Sequence, residues 1–181
     1  MKIKAIGLTF ILCLSCLLAA GCSDKNGQAA KPAAEKPAAK QETQVNVPVV
    51  EKNIYVLPSD GSQNLAAKKM KIKAAKGQEA LAALQAVVEN NAKSFPKGTK
   101  VLGLVVKDGL ATVNMNKEFL TKGQGEYERT MSLYAIVNTL TEFPDIKKVL
   151  FQADGKKIDV LGQMDMSEPL TRNKTYLPKA K

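Results

Sequence analysis

The chain of 181 residues has no histidine and no tryptophan, and only three cysteines. Without histidine there is no imidazole base, no Ser-His or Cys-His pair and no imidazole metal ligand. Without tryptophan, a carbohydrate cleft would lack its usual aromatic lining. Calcium-loop spacing of the type Asp-x-Asp/Asn-x-Asp/Asn-Gly is missing as well. Acidic residues are the scarcer charge, 17 against 27 Lys and Arg, leaving a net charge of +10. What remains is ordinary globular composition, 45% apolar and 24% charged, enough for one domain with appendages.

The N-terminus reads Met-Lys-Ile-Lys, followed by sixteen apolar or small residues from Ala5 to Ala20. Two lysines, a short apolar run and a small-residue exit make a secretory signal peptide over residues 1–21. A polar tract follows where a membrane-spanning helix would carry a stop-transfer flank. The exit, Leu18-Ala19-Ala20-Gly21-Cys22, resembles the bacterial lipobox, with cleavage between Gly21 and Cys22 and a diacylglycerol on the Cys22 sulfur. Ala19 stands where that motif usually has leucine, with Leu18 one place early. The competing reading is an ordinary signal peptide with a cysteine near its end by chance. Cys13 and Cys16 leave with the peptide, so Cys22 is the lone mature cysteine and no disulfide forms. Acylation removes the liability of a lone exported thiol, and two acyl chains hold a protein stably on a membrane.

Residues 22–47 hold that cysteine and an Ala/Lys/Pro/Gln/Glu tract with no bulky apolar residue before Val45. Such composition cannot bury enough surface to offset chain entropy, so it is expected to be a disordered tether. As a coil it would span roughly 30 Å. Residues 48–181 contain every aromatic residue except Phe10 and read as one core-forming domain. Here 21 Lys and Arg against 14 Asp and Glu give +7.

Two hairpins are legible. Asp108-Gly109 suits a type I′ turn, which needs positive φ at both central positions. Folding there sets Val106 against Ala111, Leu104 against Val113 and Leu102 against Met115, six apolar residues on one face. The opposite face receives Gly103, Val105, Lys107, Leu110, Thr112 and Asn114. The second turn, Asp154-Gly155, sets Phe151 against Ile158 and Val149 against Val160.

Each hairpin follows a helical pattern. Residues 78–91 put Leu81, Leu84 and Val88 on one stripe with Ala80 and Val87 beside it. Residues 125–142 put Leu133, Ile136, Val137 and Leu140 at helical spacing, with Glu126 and Glu128 in the dipole-favoured first turn. Pro144 ends this helix by forcing Phe143 out of helical geometry. Asn53–Leu57 and Ala66–Lys73 read as strands, the latter alternating Lys69, Lys71 and Lys73 with Met70 and Ile72. The order predicts an α+β fold: a two-layer sandwich with a mixed or antiparallel sheet, two helices on one face, and an αββ unit occurring twice.

Candidate chemistry is thin. Gly123-Gln124-Gly125 precedes a helix, but no Lys-Ser/Thr follows and two glutamates would repel a phosphate. Glu126, Glu128, Asp165 and Glu168 could supply the carboxylates of a hydrolase, though no spacing pairs them. Lys68, Lys69, Lys71, Lys73 and Lys76 form the densest basic cluster. Outside the cytoplasm they are candidate contacts for lipid head groups or anionic wall polymers. Equally, they read as charges protecting an edge strand from aggregation.

Several linked segments carry a family resemblance. They are Phe95-Pro96-Lys97-Gly98-Thr99-Lys100-Val101-Leu102, the Asp108-Gly109 turn with Ala111-Thr112-Val113, Lys117-Glu118-Phe119-Leu120, Ile136 through Pro144, and Leu161-Gly162 leading to Ser167-Glu168-Pro169-Leu170-Thr171-Arg172. Together, over about residues 50–172, they resemble the GerMN domain of bacterial sporulation and spore-germination lipoproteins. The resemblance implies a lipid-anchored protein outside the cytoplasmic membrane, with a small α+β domain similar to ring-building modules of secretion and sporulation channels. It implies work by protein–protein assembly, without a catalytic centre, cofactor or metal, and without nucleic acid. Partners would be the membrane, an envelope complex and further copies of the chain. The family member with a sporulation role is similar to two such domains in tandem, whereas this chain has room for one. Asn114 stands where the family often has an acidic residue. Asn138, amid core residues, is expected to bond a neighbouring loop, and Leu161–Arg172 to tie the last strand to the tail. An envelope hydrolase and a polyanion binder acting through the lysine strand remain the alternatives.

Overall fold

The computed structural model describes residues 47–60 and 62–178. The signal peptide, Gly21, Cys22 and nearly all of the tether lie outside the described residues. Among the described residues, no helix is long and apolar enough to cross a membrane.

Strands β1 (Val49–Val56) and β2 (Ala66–Lys73) pair antiparallel along their whole length, forming a ribbon. Helix α1 (Glu79–Asn90) follows, then β3 (Val101–Lys107) and β4 (Leu110–Met115). Helix α2 (Glu126–Leu140) crosses over to β5 (Lys148–Ala153), which lies parallel to β4. A parallel pair needs such a crossover, and α2 supplies it. Two-residue strands complete the chain: β6 (Lys156–Lys157), β7 (Val160–Leu161), β8 (Met164–Asp165) and β9 (Leu170–Thr171). The main sheet runs β3-β4-β5-β6, and β9 also pairs with β5. The fold is α+β with two helices and a mixed sheet, as the order of elements predicts.

Both hairpin turns take the expected conformation. Asp108 and Gly109 have φ of 50° and 79°, and Asp154 and Gly155 have 47° and 77°. This is the double positive φ of a type I′ turn, whose twist matches the flanking strands. Val106 opposes Ala111 and Leu104 opposes Val113, as the alternation requires.

Two pairings depart from expectation. The β3–β4 register shifts between Val101 and Gly103, so Val101 opposes Met115 and Leu102 is left half-exposed. A bulge adds one residue to its strand and turns side chains beyond it to the other face. In the second hairpin, Ile158 still donates its N–H to Phe151 O at 3.0 Å, but β6 ends at Lys157. Val149 pairs with Leu170 of β9 rather than with Val160. Gly162 (φ 66°) reverses the chain into the small β7–β8 hairpin, burying Leu161 and leaving Val160 exposed.

The helices pack on the sheet through α1 residues Ala83, Leu84 and Val87, so the buried stripe of α1 is turned slightly from Leu81 and Val88. Helix α2 differs more. From Met131 to Leu140 every residue except Tyr134 is buried, where a single stripe was expected. The reason is cover by several elements, because α2 touches α1, β1 of the ribbon, and β5 and β9 of the main sheet. A helix covered all round cannot show one apolar face. Its polar residues are satisfied instead: Ser132 Oγ donates to Ser94 O, and Thr139 Oγ1 accepts from Tyr55 N–H. At the sheet's centre, Phe151 stacks on Phe119 with centroids 6.1 Å apart, and Phe95 tilts against Phe119 at 6.3 Å. Each such ring contributes roughly 1.5–3 kcal/mol by its removal from water.

Candidate interaction surface

The lysines of β2 separate into two sets. Lys69, Lys71 and Lys73 alternate on the exposed face of the ribbon. Lys68 points to the other face and donates to Asn90 Oδ1 at the end of α1, 2.8 Å away. Glu51 sits opposite Lys71 and 4.0 Å from Lys69.

The carboxylates considered for hydrolysis are mostly engaged. Glu126 Oε1 accepts the Gln163 N–H at 3.0 Å and its Oε2 lies 3.5 Å from Arg129, which latches the β7–β8 hairpin to the start of α2. Glu128 folds back over Gly125 at the helix entrance. Asp165 accepts the Ser167 N–H at 2.8 Å, and bonds from Ser167 hold its carboxyl below the ordinary aspartate value. A general acid needs the opposite shift. Glu168 is exposed. The Gly123-Gln124-Gly125 loop is a structural latch, since Gln124 Nε2 donates to Ser94 O. Among the described residues no three metal-ligating side chains gather.

Sequence reasoning missed a polar cluster that closes one end of the core. Glu142 Oε1 accepts from Arg172 Nη2 at 2.6 Å and from the Tyr55 hydroxyl at 2.8 Å. Arg172 Nη1 also donates to Asn138 O, and Lys52 Nζ donates to Glu142 O while lying 4.9 Å from the Phe143 ring. Burial, and the bond to Glu142, push the Tyr55 hydroxyl above its usual pKa, against the lowering effect of Arg172. Asn138 exchanges two bonds with Asn173, donating to its carbonyl at 3.1 Å and accepting its N–H at 2.9 Å. Arg172 and Tyr55 are 117 residues apart, so no local pattern announces that cluster, whereas Asn138 bonds a neighbouring loop as expected.

What the surface offers is apolar area rimmed by lysine and aspartate. Val105 on edge strand β3 is 65% exposed, with Leu102 and Val106 on the same strand also exposed. Val105, Leu110 and Thr112 floor a groove of about 690 Å³ rimmed by Lys107, Lys147 and Lys148. A second groove of about 460 Å³ runs from Leu120 past Ile158 to Val160, with Asp154, Lys117 and the Lys157–Asp159 ion pair (3.0 Å) along it. Both are open and carry no nucleophile–base pair.

Comparison with known families matches Germane, described as sporulation and spore germination, over residues 53–159. That is more than half of the chain. The chain belongs to the Germane family.

Solved structures agree on the fold. The tandem GerMN domains of the sporulation protein GerM from Bacillus subtilis align with a TM-score of 0.55 at 20% identity over 68% of this chain. This chain covers 46% of that one, less than half of its length. The first GerMN domain of the same protein aligns with a TM-score of 0.53 at 19% identity, covering 70% of this chain and 98% of that one. Comparison with curated proteins gives no match. The Germane match begins within β1 and ends at Asp159, so β7, β8, β9 and Arg172 lie beyond it. The Tyr55–Glu142–Arg172 cluster thus joins the matched domain to its C-terminal segment.

Proposed function

We propose that this Germane protein is a lipid-anchored, extracytoplasmic lipoprotein whose domain is a non-enzymatic protein–protein assembly module of the cell envelope, serving sporulation or spore germination. Family membership supports the process, and GerMN domains are not known as enzymes. The observation that carries the assembly role is the outward apolar strip on β3, where Val105 is 65% exposed at a sheet edge. Edge strands are usually blunted by charge, and an apolar one is a surface awaiting a partner. Cys22 and the lipobox-like residues before it support the anchor.

A photo-crosslinking residue at Val105 in living cells tests the module. The expected result is one dominant envelope protein captured from Val105 and lost on Leu102→Asp, with no capture from the exposed α1 position Glu89. Cell-wall hydrolysis by the purified domain, abolished by one carboxylate substitution, would overturn the reading. Cys22→Ser tests the anchor: the chain should stay uncleaved or be released, with the domain's melting unchanged. Acyl label retained in Cys22→Ser would refute lipidation at this cysteine.

A further inference from the structure

Opposite residues of an antiparallel pair share a face. Lys73, Lys71 and Lys69 therefore stand beside Val49, Glu51 and Asn53 on the outside of the β1–β2 ribbon. Val49 is 50% exposed and the Lys69 side chain 78% exposed. Glu51 is the one acid in the two strands, and an exposed ion pair at 4.0 Å neutralises little.

The ribbon's starting end is also where the chain enters the domain. Ala74 N–H donates to Pro48 O at 3.3 Å, which extends the ladder by one step, and Val47 just before it is exposed. Cys22 lies 25 residues before Val47. Exposed valine and a lysine row thus coincide at the end of the domain nearest, along the chain, to the anchoring cysteine.

We propose that this outer ribbon face binds an anionic bilayer surface, with Lys69, Lys71 and Lys73 on lipid phosphates and Val49 in the interfacial layer. Basic residues near such a surface are each drawn to it, and the attraction fades within a Debye length. Edge protection alone would account for the lysines but not for apolar side chains exposed beside them. A soluble polyanion would likewise leave Val49 without a role, whereas a bilayer interface takes both. The docked face would orient the domain, turning other surfaces toward envelope partners. The inference draws on the anchor of the proposed function for its nearby membrane, but its test uses unlipidated protein and succeeds or fails apart from it.

The test uses residues 22–181 carrying Cys22→Ser, mixed with phosphatidylglycerol-rich vesicles or with pure phosphatidylcholine vesicles. Binding should require the anionic lipid and weaken as salt rises. Lys69→Gln, Lys71→Gln and Lys73→Gln together should weaken it roughly 100-fold, at about fivefold per lysine. The chain has no tryptophan, so Val49→Trp places a single reporter on the face. Its emission should shift to the blue on anionic vesicles and stay unchanged on neutral ones. Full binding by the triple variant, or binding indifferent to salt, overturns the proposal. So does binding without a blue shift, or tighter binding to soluble poly(glycerol phosphate), either of which assigns the lysines to an anionic polymer. Were the triple variant not to fold, the salt titration and the tryptophan shift would decide by themselves.

Discussion

Replacing Asn91 with alanine should destabilise the domain by about 2–3 kcal/mol, the cost of orphaning a buried donor and emptying its site. Asn91 is 4% exposed and joins the end of α1 to the end of β1. Its Oδ1 accepts the Leu57 N–H at 2.8 Å, and its Nδ2 donates to Tyr55 O at 3.1 Å and Val87 O at 2.9 Å. Val87 O keeps the Asn91 backbone N–H as partner, so the clear loss falls on Leu57 and Tyr55. For a domain of this size the melting temperature should fall by about 10 °C. Asn91→Asp makes the sharper test. One oxygen still accepts from Leu57, but the other faces two carbonyls, so burial and repulsion raise the new carboxyl's pKa in the folded state. Below the unfolded-state value, about 4, both states hold the proton, which can be donated to one carbonyl. As pH rises, the unfolded chain releases its proton first, so stability falls until the folded carboxyl also ionises. Urea denaturation from acidic to neutral pH measures this directly. An Asn91→Ala melt within about 2 °C of the parent, or an Asn91→Asp deficit that shrinks with rising pH, would refute the account.

Three further outcomes follow from the same packing. Tyr55 ionises above the ordinary tyrosine range, so folding stability should drop above about pH 10 as the unfolded state deprotonates first. Tyr55→Phe should remove one tyrosine from an absorbance titration and flatten that drop. Phe151→Ala empties a site that is 1% exposed and stacked on Phe119, and should lower stability by about 3–5 kcal/mol in chemical denaturation. Gly155→Ala and Gly162→Ala both place a side chain at positive φ, each at about 1 kcal/mol, but only the second also meets Arg129 and Glu126. Gly162→Ala should therefore melt lower than Gly155→Ala, and equal melting would show that the β7–β8 hairpin is not latched to α2.

The two type I′ turns, the existence of both long helices and the extent of β2 were legible because their causes are local. Asp-Gly between two apolar alternating arms favours a left-handed pair of residues, and the alternation from Lys69 to Lys73 admits one strand phase. The misreadings began where a bulge, an added turn or another segment overrode the simple alternation. Val149 took Leu170 instead of Val160 because Gly162 folds the intervening chain on itself. Leu102 left the core because β3 has one residue more than its partner at the bulge. The lysine row was visible as a pattern, but not that Lys68 reaches Asn90 from the other face or that Val49 stands beside Lys73.

By itself, then, the sequence determined the lipobox-like cysteine, the composition break before residue 48, the turn types and the helix and strand periods. Each of these depends on residues within a few positions of one another. Tertiary structure alone decided which face of each element is covered. Helix α2 is buried over most of Met131–Leu140 because α1, the ribbon and the main sheet all touch it, and Tyr55, Glu142 and Arg172 meet because three separate segments end at one corner. Burial and long-range hydrogen bonding are properties of surfaces brought together. They acquire values only once the chain has folded.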